Sequence, residues 1–371
     1  MRIGILTFHA AGNYGAFLQA YSLLSALNGL QDTEARIIDY VCPPIEENYL
    51  PEKYLKRKGN PVKNILLFLL RSSVMKQQNQ MFAEARRRNY QYDAERVTRQ
   101  TLEQLNYDFY IVGSDQVWNE ELTNGDKVYY LDFVKDNSKK LSYAVSIGND
   151  SEHPFSESVS ALIQKFSAIC LREQKTTEFM KHLFPDKEIH CCIDPVFLTS
   201  SQKWRKFSAP VKDTEKYILI FAMGNGKTAD KMVDFGRQYA AENNCRILFL
   251  SDQEKWYKHR DLRHLVNITP EQFVWLIDHA EAVVTNSFHA TAFSIILNKT
   301  FFVETAVKRN GRIYDLLDRF SLASQALKEG KKLTPETEAI HWELVNERIQ
   351  HQKDAAFSYL NTILHGNNGR F

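Results

Sequence analysis

The stretch Ala282-Val283-Val284-Thr285-Asn286-Ser287-Phe288-His289-Ala290-Thr291-Ala292, running on to Phe301-Phe302-Val303, decides the reading of this chain. A short apolar run meets a polar turn. Apolar residues at helical spacing follow (Phe293, Ile296, Leu297), and then a second apolar run. That pattern predicts strand, turn, helix, strand, with a histidine at or just inside the helix start. Asn286 or Ser287 can cap the helix by accepting from its first backbone N–H groups. The positive end of the helix suits a phosphate or carboxylate. An imidazole beside an anion site suggests proton transfer to a phosphorylated substrate, since its ordinary pKa of about 6.5 lies near cellular pH. A histidine that only caps or packs is the competing explanation.

The same alternation recurs on both sides of this unit. Ile3–Phe8 reads as a strand, followed by the loop His9–Gly15 and a helix bearing Phe17, Leu18, Tyr21, Leu24 and Leu27. Further strands are expected at 37–41, 107–112, 141–147, 167–171, 190–193, 217–222 and 246–250, and one or two helices from Pro335 to about Leu364. Strands alternating with amphipathic helices predict an α/β fold with parallel sheets. With 371 residues and 44% hydrophobic content, two domains are expected. The polar stretch at 199–216 places the boundary there, giving 1–205, with a basic excursion at 45–100, and 206–371, with the C-terminal helices. Between 52 and 99, twelve Lys or Arg face four acids, a local net of +8. This segment is either a solvated helix or an attachment to an anionic membrane surface, with Ile65–Leu70 as a shallow anchor.

Bulk properties narrow the function. A net charge of +2 argues against a dedicated nucleic-acid binder. Five cysteines without paired CxxC spacing read as reduced thiols, and no metal-ligand pattern stands out. The N-terminus enters a strand pattern directly, without an apolar signal region, and the longest apolar run is far too short to span a bilayer. The expected location is cytoplasmic, with peripheral contact at the inner membrane face if 52–99 meets lipid.

Polar groups cluster after strand ends, where open parallel sheets bind ligands. Asn13, Tyr14 and Gln19 offer hydroxyl and amide partners for a sugar. Gly113-Ser114-Asp115-Gln116-Val117-Trp118-Asn119 combines a carboxylate, two amides and an indole suited to sugar hydroxyls and pyranose faces, with Asp115 as a candidate base. Arg172, Arg309 and Arg312 could clamp an anion with their rigid forks. Core packing, capping and surface charge are the structural explanations for these same residues.

Taken in order, Asn13-Tyr14-Gly15, Leu18–Tyr21, Asp108–Asn119, Tyr130–Phe133, Ser142–Ala144, Arg172-Glu173, Asp194–Leu198, Trp204, Ser287-Phe288-His289 and the Arg312 turn resemble the polysaccharide pyruvyl transferase family. The resemblance implies two Rossmann-like domains facing across a cleft, as in GT-B glycosyltransferases, with an acceptor side in 1–205 and a donor side in 206–371. It implies transfer of pyruvate from phosphoenolpyruvate, the co-substrate, to two sugar hydroxyls as a cyclic ketal, with phosphate released. Nothing in the residues requires a redox cofactor, no metal cage is visible in the sequence, and a divalent-ion requirement stays open. The acceptor would be a lipid-linked oligosaccharide of a surface polysaccharide, exopolysaccharide or capsular. The catalytic histidine falls on His289 and a donor-binding arginine on Arg172, with Asn286, Ser287, Arg309 and Arg312 beside the donor. Asn13, Tyr14, Gln19, Gln116 and Trp118 fall to the acceptor. Some members carry a basic residue where this chain has Ser287. The rival readings are a nucleotide-sugar glycosyltransferase of the same architecture and a glycan-binding scaffold without catalysis.

Overall fold

A computed structural model of the chain describes residues 1–93, 96–148, 155–212, 214–224, 226–251, 259–305, 311–327 and 339–366. The elements in order are β1 (Arg2–Leu6), α1 (Tyr14–Leu27), β2 (Glu34–Ile37), α2 (Pro43–Glu47), α3 (Pro61–Asn89), β3 (Phe109–Val112), α4 (Glu120–Thr123), β4 (Lys140–Ser142), α5 (Glu157–Ile163), β5 (Ile169–Leu171), α6 (Gln174–Leu183), β6 (Ile189–Cys191) and α7 (Ser201–Phe207). They continue as β7 (Tyr217–Ala222), α8 (Gly226–Glu242), β8 (Arg246–Ser251), β9 (Arg263–Leu265), α9 (Pro270–Asp278), β10 (Ala282–Thr285), α10 (Phe288–Ile296), β11 (Phe301–Glu304), α11 (Gly311–Arg319), β12 (Ala326–Leu327) and α12 (Trp342–His365).

Two compact units result, Met1–Thr199 with Gln352–Phe371, and Ser200–His351. One division falls in the polar stretch at 199–216. The other falls inside α12, whose second half returns to the first unit, the alternative the sequence left open for the C-terminal helices. The reason is packing. In the second half of that helix, the Tyr359 hydroxyl donates to the Ser142 carbonyl at 3.3 Å, and its ring meets Tyr143 and His190.

In the first unit, β2-β1-β3-β4 form a parallel sheet, with Ile3 opposite both Ala35 and Phe109. Isolated bridges from Leu141 to Ala168 and Val145 to Leu171 join it to the parallel pair β5-β6. The strand order is therefore 2-1-3-4-5-6, which reverses direction between β1 and β3. Each central strand is a short run buried on both faces, as helix-covered parallel sheets require. The core gathers around Leu6, Val112, Trp118, Tyr129, Phe166 and Leu171.

The strand expected over 141–147 is regular only to Ser142. Beyond it the chain turns to lie against the loop after β3. A Cβ on Gly113, which has φ +121, would stand 2.3 Å from the Tyr143 carbonyl oxygen, so only glycine allows that approach.

The second unit holds a six-stranded parallel sheet in the order β12-β11-β10-β7-β8-β9. Counted from β7 this is the order 3-2-1-4-5-6 of nucleotide-binding folds, with its switch point between β7 and β10. Thr285 pairs with Phe221 in register, so these two strands end level with each other. The core is built from Ile218, Ile220, Val284, Phe235, Phe249 and Phe302. The short strands β9 and β12 carry no apolar periodicity long enough to predict.

Candidate functional site

The candidate side chains lie on the loops that follow the strand ends of each unit. In the second unit, Ser287 is the N-cap of α10, its hydroxyl accepting from the Ala290 N–H at 3.4 Å. Its own N–H donates to Thr285 Oγ1 at 3.0 Å, which tightens the turn out of β10. Asn286 does not cap. Its amide accepts from the Met223 N–H and donates to the Met223 carbonyl, each at 2.8 Å, and so ties the loop after β7 to the loop after β10. His289 is the second residue of α10, 9% exposed, with the Phe288 ring edge-on at 5.2 Å between centroids. The geometry therefore fixes the backbone on both sides of the histidine and places it at the positive end of its helix. Next along the sheet, β11 ends in buried Glu304, followed by buried Thr305. Thr305 accepts from the Tyr314 hydroxyl at 2.7 Å, which docks α11 and the half-buried Arg312 in its first turn. Arg309 lies outside the described residues.

In the first unit, one buried polar network runs across the carboxyl ends of the strands. Thr7, after β1, donates to the Ser114 carbonyl at 3.2 Å and accepts from the Gln19 amide at 2.8 Å. Gln19 also accepts from the Ser114 N–H at 3.1 Å. The Ser114 hydroxyl donates to the Ala144 carbonyl at 2.8 Å and lies 3.4 Å from Asp194 Oδ2. Asp194 caps the turn after β6, accepting from the Val196 N–H, and accepts from Arg172 Nη1 at 2.7 Å. Arg172 Nε donates to Glu173 at 2.8 Å. Burial by itself would lower the Arg172 pKa, but the carboxylates of Glu173, Asp194 and Asp115 outweigh it and hold the guanidinium above its ordinary value.

These contacts correct several expectations from the sequence. Arg172 is 2% exposed and its fork is engaged by the carboxylates of Glu173 and Asp194, which ties together the strand ends. Gln19 is fully buried and serves the loop. Trp118 is a core side chain, donating from its indole N–H to the Tyr129 carbonyl and stacked on Tyr130. Tyr14 is buried against Phe82, and desolvation raises its phenol pKa.

Three acceptor-side residues keep partial exposure. Asn13 caps α1 through the Ala16 N–H. Gln116 accepts from the Asn119 amide at 3.3 Å. Asp115, at φ +67, accepts from the Gln116 N–H at 2.9 Å. Asn119, not Asp115, caps the helix that follows. The structure thus gathers Asp115, Gln116 and Arg172 with Ser114, Glu173 and Asp194 in one unit. In the other it gathers Asn286, Ser287 and His289. The one sequence signal for the Asp194 anchor was its place before Pro195, which forces an extended backbone there.

His9 was also missed. It is buried, with Nδ1 at 3.2 Å from the Thr7 carbonyl and Nε2 at 2.9 Å from Asp39 Oδ1. The hydrogen bond from His9 is the main cause that holds the Asp39 carboxyl below its ordinary range. A carboxyl lowered by folding contributes stability above its unfolded pKa of about 3.9 and loses it as pH falls through the folded value. Denaturant unfolding of Asp39→Asn across the acid range should therefore show a flatter loss of stability below about pH 4 than the parent. Identical acid limbs would mean that the pair contributes nothing.

Among the described residues, no cluster of three His, Cys, Asp or Glu side chains is arranged to hold a metal ion. The five cysteines are free thiols, three of them buried. No helix of the described residues is long and apolar enough to cross a membrane.

A family model described as polysaccharide pyruvyl transferase matches residues 13–304, a span that contains Asp115, Arg172 and His289. No curated protein matches the chain. Among solved structures, it is similar to UDP-GlcNAc 2-epimerase from Neisseria meningitidis bound to UDP-GlcNAc, at 8% identity and a TM-score of 0.52, covering 98% of this chain and 100% of that one. The Staphylococcus aureus MnaA–UDP structure is similar at 12% identity and a TM-score of 0.52, covering 100% and 98%. At these identities the likeness shows the fold, the α/β architecture of GT-B enzymes.

Proposed function

Because the chain belongs to the polysaccharide pyruvyl transferase family, we propose that it moves pyruvate from phosphoenolpyruvate to two hydroxyls of one sugar, forming a cyclic ketal and releasing phosphate. The observation that carries this reading is His289 at the start of α10, at the β7/β10 switch point, with its loop braced by Asn286 on Met223. Phosphoenolpyruvate must gain a proton at its methylene carbon before C2 can accept an oxygen nucleophile. The His289 imidazolium is the acid for that step. One acceptor hydroxyl adds to C2, the bond from C2 to the phosphate oxygen breaks, and the second hydroxyl closes the ketal. The attacking hydroxyl gives its proton to Asp115, from which it leaves with phosphate, and the second hydroxyl returns a proton to His289.

The α10 N-terminus, Ser287 and Arg312 are the groups of the second unit that would hold the donor's anionic ends and stabilise the departing charge. In the first unit, Asp115 and Gln116 are the partly exposed groups for acceptor hydroxyls, with Asp115 taking the proton of the attacking one. The acceptor is a sugar carried on a lipid-linked polysaccharide precursor.

Calorimetry with phosphoenolpyruvate, UDP, GDP and CMP tests the donor. We expect phosphoenolpyruvate to bind and the three nucleotides not to. Binding of a nucleotide with none of phosphoenolpyruvate would overturn the proposal in favour of a nucleotide-sugar glycosyltransferase.

A further inference from the structure

The helix α3 has two different outer faces. Over its second half it is anchored by Met75, Phe82 and Ala85, with Phe82 against Tyr14 and Phe17. Its solvent face there reads Ser73, Lys76, Gln77 and Gln80, as an exposed helix should. Over the first half the same face reads Val62, Ile65, Leu66, Leu69 and Leu70, exposed by 51% to 74%. At about 100° per residue these five fall on an arc of roughly 140°, opposite Asn64, Met75 and Phe82. Leu55, in the preceding turn, is 49% exposed. Six of the ten large apolar side chains exposed among the described residues thus sit within 55–70, where scattered single exposures would be ordinary.

The chemistry around this stripe is mostly basic. From Lys53 to Ala83 the sequence holds seven Lys or Arg and no Asp or Glu, with Glu52 just before it and Lys56 paired to Glu47 at 2.9 Å, in a chain whose net charge is only +2. The turn that carries Lys56, Arg57 and Lys58 is fastened to α3, where the buried Asn64 amide donates to the Arg57 carbonyl at 2.7 Å. The basic groups are thus held at the same end of the helix as the leucines.

We propose that the first half of α3, with the turn before it, is an interfacial anchor for an anionic lipid bilayer. The leucine stripe enters the acyl boundary and the lysines and arginines meet acidic headgroups. Charge decides between lipid and a second copy of this chain. Two copies apposed on this face would bring like charges together with no acid in the segment to pair them, whereas anionic headgroups supply the missing sign. The helix lies on the surface and does not span, because its apolar arc covers only its first turns.

The test is co-sedimentation of the full chain with phosphatidylcholine vesicles, with and without phosphatidylglycerol, at low and high salt. Binding is expected only with phosphatidylglycerol, and is expected to fall as salt rises. Leu66→Ser with Leu69→Ser should weaken partitioning at least about tenfold, and Lys58→Glu with Lys63→Glu by about fivefold or more for each charge. All four positions are exposed, so unchanged thermal unfolding is expected. Gln77→Ser with Gln80→Ser, farther along the same face, should bind as the parent does. The proposal is overturned if the parent fails to bind phosphatidylglycerol vesicles, or if the leucine variant binds them equally well. It is also overturned if the leucine variant abolishes self-association in solution and no vesicle binding is seen.

Discussion

Replacing His289 with Ala or Gln is expected to slow phosphate release from phosphoenolpyruvate, measured with a sugar acceptor that supports turnover, by about 10²–10⁴-fold. The size follows from the role: a positioned general acid is worth that much when the proton must reach a carbon that no solvent acid protonates well. The remaining rate would come from electrostatic stabilisation by the helix end, which the substitution leaves in place. Ser287 still caps α10 and Asn286 still braces the loop, because neither contact uses the imidazole. Thermal unfolding and phosphoenolpyruvate affinity should therefore stay close to the parent's while turnover collapses. A variant that keeps near-parental turnover removes His289 from the chemistry. A variant that loses donor affinity and turnover in equal measure makes it a binding residue instead.

The sequence shows the sheet-and-helix alternation because these strands are short, buried on both faces, and therefore written as unbroken apolar runs such as Tyr217–Ala222. The place of His289 at a helix start was legible for a related reason. The turn Thr285-Asn286-Ser287 interrupts two such runs, and the helix must begin immediately after it. What could not be read was which polar side chain serves the fold. Gln19 looks like a ligand amide in the sequence, yet its partners are Thr7 and the backbone of Ser114, 95 residues away. Trp118 has the composition of a stacking platform but fills the core beside Phe166. Such assignments depend on contacts between distant segments, and local pattern carries no information about them. The α3 stripe was legible only as a choice between a solvated helix and a shallow anchor, and it is the packing of Phe82 and Met75 on the other side that shows its leucines to face solvent.

Arg172 provides the sharpest separation of these two kinds of role. The Arg172→Ala variant is expected to lose about 3–5 kcal/mol of stability, because removal of the guanidinium leaves Asp194 and Glu173 buried without their cation. The side chains of Arg172, Glu173 and Asp194 are 3%, 7% and 0% exposed, so water cannot take its place at either carboxylate. Arg172→Lys should recover only part of the loss: an ammonium cannot hold two carboxylates with the geometry of a planar fork. The pairing makes a further demand. If the loss comes from stranded charge, Arg172→Ala combined with Asp194→Asn should be less destabilised than the two single losses added together, by about 0.5–3 kcal/mol. Denaturant unfolding of the four proteins in that cycle measures this directly. A donor-binding arginine predicts the opposite result: stability within about 1 kcal/mol of the parent, phosphoenolpyruvate binding abolished, and no coupling to Asp194. Were that seen, the strand ends of the first unit would have to carry the donor. Asp115, whose carboxylate acts on the same guanidinium, would then belong to the donor's site rather than the acceptor's.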